Sequence, residues 1–114
     1  MNPDLDFLNV IRQAALAAVA HVGDQERLSF EADRKSLSAV LYEIVVIGEG
    51  VKRLSPEFRS EHPEVPWKQI AGMRDRVVHS FDEVDLDLVW KVIKVHVPSL
   101  ISDLDRIKAL ESKA

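Results

Sequence analysis

Residues 34–54 read RKSLSAVLYEIVVIGEGVKRL. Within them Leu37, Val40, Leu41, Ile44, Ile47, Gly48 and Val51 recur three and four residues apart. That spacing lines up on one face of an α-helix and scatters over both faces of a strand. Val45 and Val46 fall outside the stripe, so the apolar surface is wider than one packing face needs. Gly48 and Gly50 each cost about 1 kcal/mol of helix stability relative to alanine. Glycine inside a helix also permits close approach of another helix, either in the core of one chain or across a contact between two copies. A helix of this length and pattern sets the expectation for the rest of the chain.

Working outward, the first helix opens at Asn2 as N-cap with Pro3 at the first helical position. Leu5, Leu8, Ile11, Ala15, Ala18 and Val22 follow at helical spacing, and Gly23-Asp24 ends it. Leu28 to Asp33 reads as a connection holding at most one short turn. Beyond the central helix, Ser55-Pro56-Glu57 supplies an N-cap, a first-position proline and a first-turn acid, opening a short helix that ends near Glu61. Pro63 and Pro66 keep residues 62–66 extended. A further helix is expected from Trp67 or Lys68 to about Val78 or Ser80. The last begins at Asp85 as N-cap, with Leu86, Val89, Ile93, Val97, Leu100, Leu104 and Ile107 on one face. Pro98 is expected to kink this helix and not end it, because the pattern continues past it. No alternating run bounded by turns signals a strand. The reading is a single all-α domain over residues 1–114, an up-and-down bundle of four or five helices.

The 114 residues are 46% hydrophobic and 30% charged, with a formal net charge of −4 and no cysteine. Disulfides and thiolate metal sites are thereby excluded. The net charge argues against a protein that binds nucleic acid over a broad basic surface, but leaves room for a local patch. Lys52, Arg53, Arg59, Lys68, Arg74 and Arg76 fall in one part of the chain, followed by the acidic run Asp82, Glu83, Asp85 and Asp87. Met1-Asn2-Pro3-Asp4 lacks a basic leader, and no stretch approaches the roughly 20 apolar residues of a membrane span. A cytoplasmic protein without membrane contact is expected.

Chemistry is sparsely signalled. His21, His62, His79 and His96 form no pair at metal-binding spacing, no serine occupies a nucleophile elbow, and no glycine loop resembles a phosphate cradle. No cofactor is therefore expected. What remains is the segment 72–81, GMRDRVVHSF. Arg74 and His79 are five residues apart, about 140° of rotation and about 7.5 Å of rise on an ideal helix. They converge only if the helix ends near His79, or if a two-fold axis brings two copies together. An imidazole can take the proton from a ribose 2′-hydroxyl or give one to a leaving oxygen, and a guanidinium can hold the phosphate between them. From the spacing alone, a helix cap or an interface residue is the more usual role for such a histidine.

Several stretches together resemble the HepT-like toxins of the HEPN superfamily. They are residues 46–49 (VIGE), 52–57 (KRLSPE), 62–67 (HPEVPW), 70–75 (IAGMRD) and 84–90 (VDLDLVW). The resemblance implies a homodimeric HEPN helical bundle and a metal-independent endoribonuclease toxin of a type II/VII-like toxin–antitoxin pair. Its substrate would be RNA, tRNA being the one associated with the family, and its partner a minimal nucleotidyltransferase antitoxin. The motif of the family is Arg-x4-His-x-Tyr. Arg74 and His79 match it as the catalytic pair, and Asp75 stands where a polar residue supports the arginine. The position of the tyrosine that the antitoxin modifies is here Phe81, which has no hydroxyl to accept a nucleotide. Neutralisation would then run through binding alone or through another residue, unless the chain keeps only an interaction role. Tyr42, the only tyrosine, reads as core or interface. Two other functions remain open at this point. One is a non-enzymatic helical module that pairs with a nucleotidyltransferase, and the other is a subunit that binds nucleotide in its dimer cleft through Arg74 and Lys52.

Overall fold

A computed structural model describes residues 2–80 and 82–112. The chain is a helical bundle with three long legs. Helix α1 spans Pro3–Val22, the short α2 spans Arg27–Ala32, and α3 spans Arg34–Arg53. Three short helices follow, α4 (Pro56–Glu61), α5 (Trp67–Ala71) and α6 (Met73–Val77). A two-stranded hairpin, β1 (Val78–Ser80) and β2 (Glu83–Val84), leads into the last leg. That leg runs as α7 (Leu86–Lys91), a π-helical turn (Val92–His96) and α8 (Val97–Ser112).

The long legs take their direction from side-chain contacts. Asp4, at the start of α1, accepts hydrogen bonds from Ser55 N and Oγ, both at 2.8 Å, just beyond the end of α3. His21, near the end of α1, lies 3.0 Å from Glu43 in the first half of α3. The two helices are therefore antiparallel. Arg12 meets Asp105 at 2.7 Å, and the start of α1 shares a groove with Leu104, Lys108 and Glu111, so the last leg is antiparallel to α1 as well. The short helices α4 to α6 carry the chain back between the two parallel legs α3 and α8. This is the up-and-down bundle expected, with one ascending leg broken into pieces.

One core joins all the legs. Ile11, Ala15 and Ala18 of α1, Val40, Ile44, Ile47 and Val51 of α3, and Val89, Leu104 and Ile107 of the last leg are each 2% exposed or less. Burying a side chain of this size contributes about 1.5–3 kcal/mol, which is the chief stabilisation of the fold. Helix α1 reaches a mean hydropathy of 1.2 and, by length and composition, matches a membrane span. The expectation that no stretch approaches such a span is corrected to this extent; one face of the helix, Leu8 to Val22, packs inside the bundle, while Val10, Leu16 and Val19 stay exposed. The glycines of α3 are explained inside one chain. A Cβ on Gly50 would stand 2.6 Å from Ile11 Cγ1, and one on Gly48 would stand 3.2 Å from the Ala71 carbonyl oxygen.

Helix boundaries follow the capping residues. The Asn2 side chain accepts from Asp4 N, Ser55 Oγ from Phe58 N, and the Asp85 carboxylate from Leu88 N. Gly23 closes α1 at φ +56°, a conformation glycine adopts without strain.

Three expectations are corrected. The connection between α1 and α3 is a six-residue helix, α2, because Phe30 needs burial; it is fully buried and packs on Trp90 with ring centroids 5.8 Å apart. The helix expected from Trp67 to Val78 or Ser80 breaks at Gly72 and ends at Val77. There the β-branched pair Val77-Val78 passes into an extended strand, so the chain is not helical throughout. Of the two roles expected for Tyr42, core is excluded by its 65% exposure and interface is left. The deviation at Pro98 is a π turn: the Val97 N–H reaches back five residues to the Val92 carbonyl. A proline cannot accept a regular α-turn before it without a clash, and the wider turn relieves that conflict.

Candidate active site

The site is assembled on α6 and the hairpin that follows. Met73 and Val77 are buried and anchor this five-residue helix in the core. Arg74 lies on its outer side, its side chain 53% exposed, with Nη1 donating to Asp75 Oδ1 at 3.2 Å. Asp75 thus contacts the arginine it was expected to support, on the surface. The Arg74 carbonyl accepts the N–H of Val78 where α6 gives way to β1.

His79 stands apart from that pair. Val78 pairs with Val84 and Ser80 with Glu83, so His79 is the extra residue of a β-bulge. A bulge bends the strand and redirects the side chain. The hairpin is closed by Asp85 N donating to the Val77 carbonyl at 2.8 Å, and by Ser80 Oγ donating to Asp82 Oδ1 at 2.8 Å. His79 is exposed, and among the described residues it makes no hydrogen bond to Arg74 or Asp75. The helix does end before His79, as one route to convergence required, but no contact joins Arg74 to His79 among the described residues. Phe81 lies outside the described residues.

Arg74 lies in a groove of about 220 Å³ that α6 forms with α3. Gly48 makes this groove possible, because it lets the end of α5 settle on α3. Lys52 and Glu49 form the opposite wall, 3.7 Å from one another. Lys52 was expected beside Arg74 only under a nucleotide-binding reading. Glu49 was not singled out, though its position three residues before Lys52 puts it on the same helix face. The basic residues gathered in sequence are divided by the fold. Lys52 and Arg74 face the α3 groove, whereas Lys68 and Arg76 line a separate groove on the other side of α6.

The remaining histidines have other surroundings. Among the described residues His62 is the one buried polar side chain in the core, packed at a tilt against Phe58 with ring centroids 4.8 Å apart. Its Nε2 is 3.4 Å from Glu111 and its Nδ1 is 3.7 Å from Glu64. Arg106, hydrogen-bonded to Glu64 at 3.3 Å, helps hold that carboxyl below its usual range, after a backbone hydrogen bond of larger effect. Glu61, His62 and Glu111 bring ligand atoms within 4.8 Å of one another, a grouping that spacing along the chain does not reveal. The contact of Glu111 with His62, just past the end of α4, ties α8 to α4.

The fold thus displays Arg74 in a groove where two cations face two carboxylates, with His79 exposed on the hairpin that follows. Comparison with known proteins supplies the class. Residues 11–107 match the family described as Ribonuclease HepT-like, and the chain belongs to that family. Among its relatives is a protein named Probable ribonuclease HepT from Thermococcus cleftensis, 35% identical over 79 residues, covering 69% of this chain and 72% of the relative. Two others carry RNase names given provisionally. One is from Caldanaerobacter subterraneus subsp. tengcongensis, 41% identical over 60% of this chain and 62% of its own length. The other is from Methanocaldococcus jannaschii, 28% identical over 87% of this chain and 91% of its own length. No solved structure matches the chain.

Proposed function

We propose that this chain is an endoribonuclease in which Arg74 and His79 carry the chemistry. The observation that carries the reading is the β-bulge that turns an exposed imidazole out directly after the helix bearing the Arg74–Asp75 pair. Arg74 holds the scissile phosphate and offsets the charge added to it in the transition state. His79 takes the proton from the 2′-hydroxyl as that oxygen attacks phosphorus. The P–O5′ bond breaks, and the departing oxygen gains a proton from solvent or from the imidazolium of a second site. Asp75 positions the guanidinium. None of these steps needs a metal ion.

The second site comes from a homodimer. Val10, Leu16, Val19, Tyr42 and Val45 are between 39% and 65% exposed on the outer faces of α1 and α3. Tyr42, Val45, Glu49 and Lys52 recur at helical spacing on α3, so this apolar face runs into the groove that holds Arg74. A partner seated there by two-fold symmetry places both Arg74–His79 sets along one cleft. The physiological role supported by the family resemblance is that of a toxin cleaving RNA, with tRNA as substrate and a nucleotidyltransferase as antitoxin. Without a hydroxyl at Phe81, that partner neutralises the chain by binding or by acting at another residue.

The products test the mechanism. Purified protein incubated with RNA and a chelator should leave 2′,3′-cyclic phosphate and 5′-hydroxyl ends. Cleavage that stops when the chelator is added, or leaves 3′-hydroxyl ends, contradicts it.

A further inference from the structure

The side of α6 turned away from Arg74 lines a second cavity, of about 260 Å³, between α5–α6 and the last leg. Residues two apart on a helix differ by about 200° in direction, so Arg74 and Arg76 serve opposite faces of the same short helix. The floor of this cavity is apolar: Ile70, Met73 and Leu100 are all buried. Its rim is polar, with Arg76 on one wall and His96 and Ser99 on the other. Both walls are made where a helix departs from regular geometry. Gly72 parts α5 from α6, and the π turn that contains His96 bends the last leg. Turns of this wider kind recur at functional sites.

Arg76 also borders an open groove of about 400 Å³ shared with Lys68 and Gly72. Its Nη2 donates to the Gln69 carbonyl at 2.7 Å, which fixes the guanidinium where cavity and groove meet. Among the described residues neither Arg76 nor Lys68 pairs with a carboxylate. The acidic residue on the cavity rim, Asp103, is taken up by Arg106 at 3.0 Å. The concavity therefore offers an apolar floor, hydrogen-bonding edges, one cation on its rim and a second in the adjoining groove. A purely aliphatic ligand would leave the rim unused, and a phosphate alone would have no need of the floor. A nucleobase uses both, burying its faces and bonding at its edges, while its phosphate lies along the groove.

We propose that this cavity is a base subsite that takes one unstacked nucleobase of an RNA strand, its phosphate held by Arg76 and Lys68, on the face of α6 opposite the cut made at Arg74 and His79. It rests on the ribonuclease reading for the identity of the strand, and on the cavity alone for the base.

Binding and turnover test it separately. The full chain carrying His79→Ala is titrated with the four nucleoside 5′-monophosphates and with ribose 5-phosphate, and backbone amide shifts are followed. At least one nucleotide should move Gln69, Arg76 and Ser99 saturably in the millimolar range, and bind about tenfold more tightly than ribose 5-phosphate. Ser99→Trp, which fills the mouth from an exposed position, should abolish those shifts, and Arg76→Ala should weaken them. Shifts confined to the α3 groove, no shifts, or equal binding of ribose 5-phosphate overturn the subsite. With the catalytic pair intact, Ser99→Trp should raise KM for an RNA substrate about tenfold and even out its base preference while leaving kcat nearly unchanged. An unchanged KM and preference overturns the proposal too. Failure of the unaltered chain to cut RNA would defeat the ribonuclease reading, while the binding titration still decides the subsite.

Discussion

Asp33 alone fixes the start of α3. Its carboxylate accepts from Ser36 Oγ at 2.7 Å, from Lys35 N and Ser36 N at 3.1 and 3.3 Å, and from Gln25 Nε2 at 3.2 Å. The Ser36 hydrogen bonds above all hold its pKa below the usual carboxylate range. The folded state then binds fewer protons at this site than the unfolded chain. Its stabilisation is complete above the unfolded carboxylate pKa, about 3.9, and is lost as pH falls through the lower folded value. Asp33→Ala should lower Tm at neutral pH and flatten the loss of Tm below about pH 4, whereas Asp33→Asn should keep more of the cap. Thermal unfolding across that range checks it, and an unchanged acid limb contradicts it. Single-residue caps of this kind were legible in the sequence at Asn2, Ser55 and Asp85, because each is a short polar side chain ahead of an apolar pattern. The direction of His79 was not. It depends on which residue the hairpin leaves unpaired, and only the pairing of Val78 and Ser80 with β2 decides that.

At the scale of elements, the three long helices were legible because each repeats its apolar residues over many turns. The shorter pieces were not, since five or six residues carry too little pattern to outweigh tertiary packing. Val77-Val78 and Val84 were the available sign of the hairpin, as β-branched residues on either side of a polar turn. The π turn was foreshadowed by Pro98 but its form was not. Gly50 gives this scale its prediction. An added methyl there would meet Ile11, which is fully buried and cannot swing away. Overpacking of this kind typically costs about 1–3 kcal/mol, against about 1 kcal/mol of helix propensity recovered. Gly50→Ala should therefore destabilise the chain in chemical denaturation, and should cost less when made in an Ile11→Ala background, where Cγ1 is gone. A Gly50→Ala variant more stable than the parent would contradict the close approach of α1 and α3.

For the whole molecule, the proposal to test is that two Arg74–His79 sets share a cleft in a homodimer. The apolar face of Tyr42 and Val45 adjoins the Arg74 groove. Tyr42→Glu places a charge on that face without disturbing the core, and should convert a dimer into a monomer in analytical ultracentrifugation and lower cleavage with it. A parent chain that is monomeric at micromolar concentration, yet cleaves fully, contradicts the shared cleft. The site as a whole was half legible: Arg74 and Asp75 stand out as a polar pair on one helix, but their groove needs Gly48, Glu49 and Lys52 from a distant leg. The most direct measurement is the single-turnover rate of RNA cleavage by the parent, Arg74→Ala and His79→Ala, with helicity confirmed by circular dichroism. Both side chains are exposed, so folding should be preserved, and each variant should lose about a hundredfold or more in rate. Rates equal to that of the parent, in either variant, would contradict the assignment of Arg74 and His79 as the groups that cut RNA.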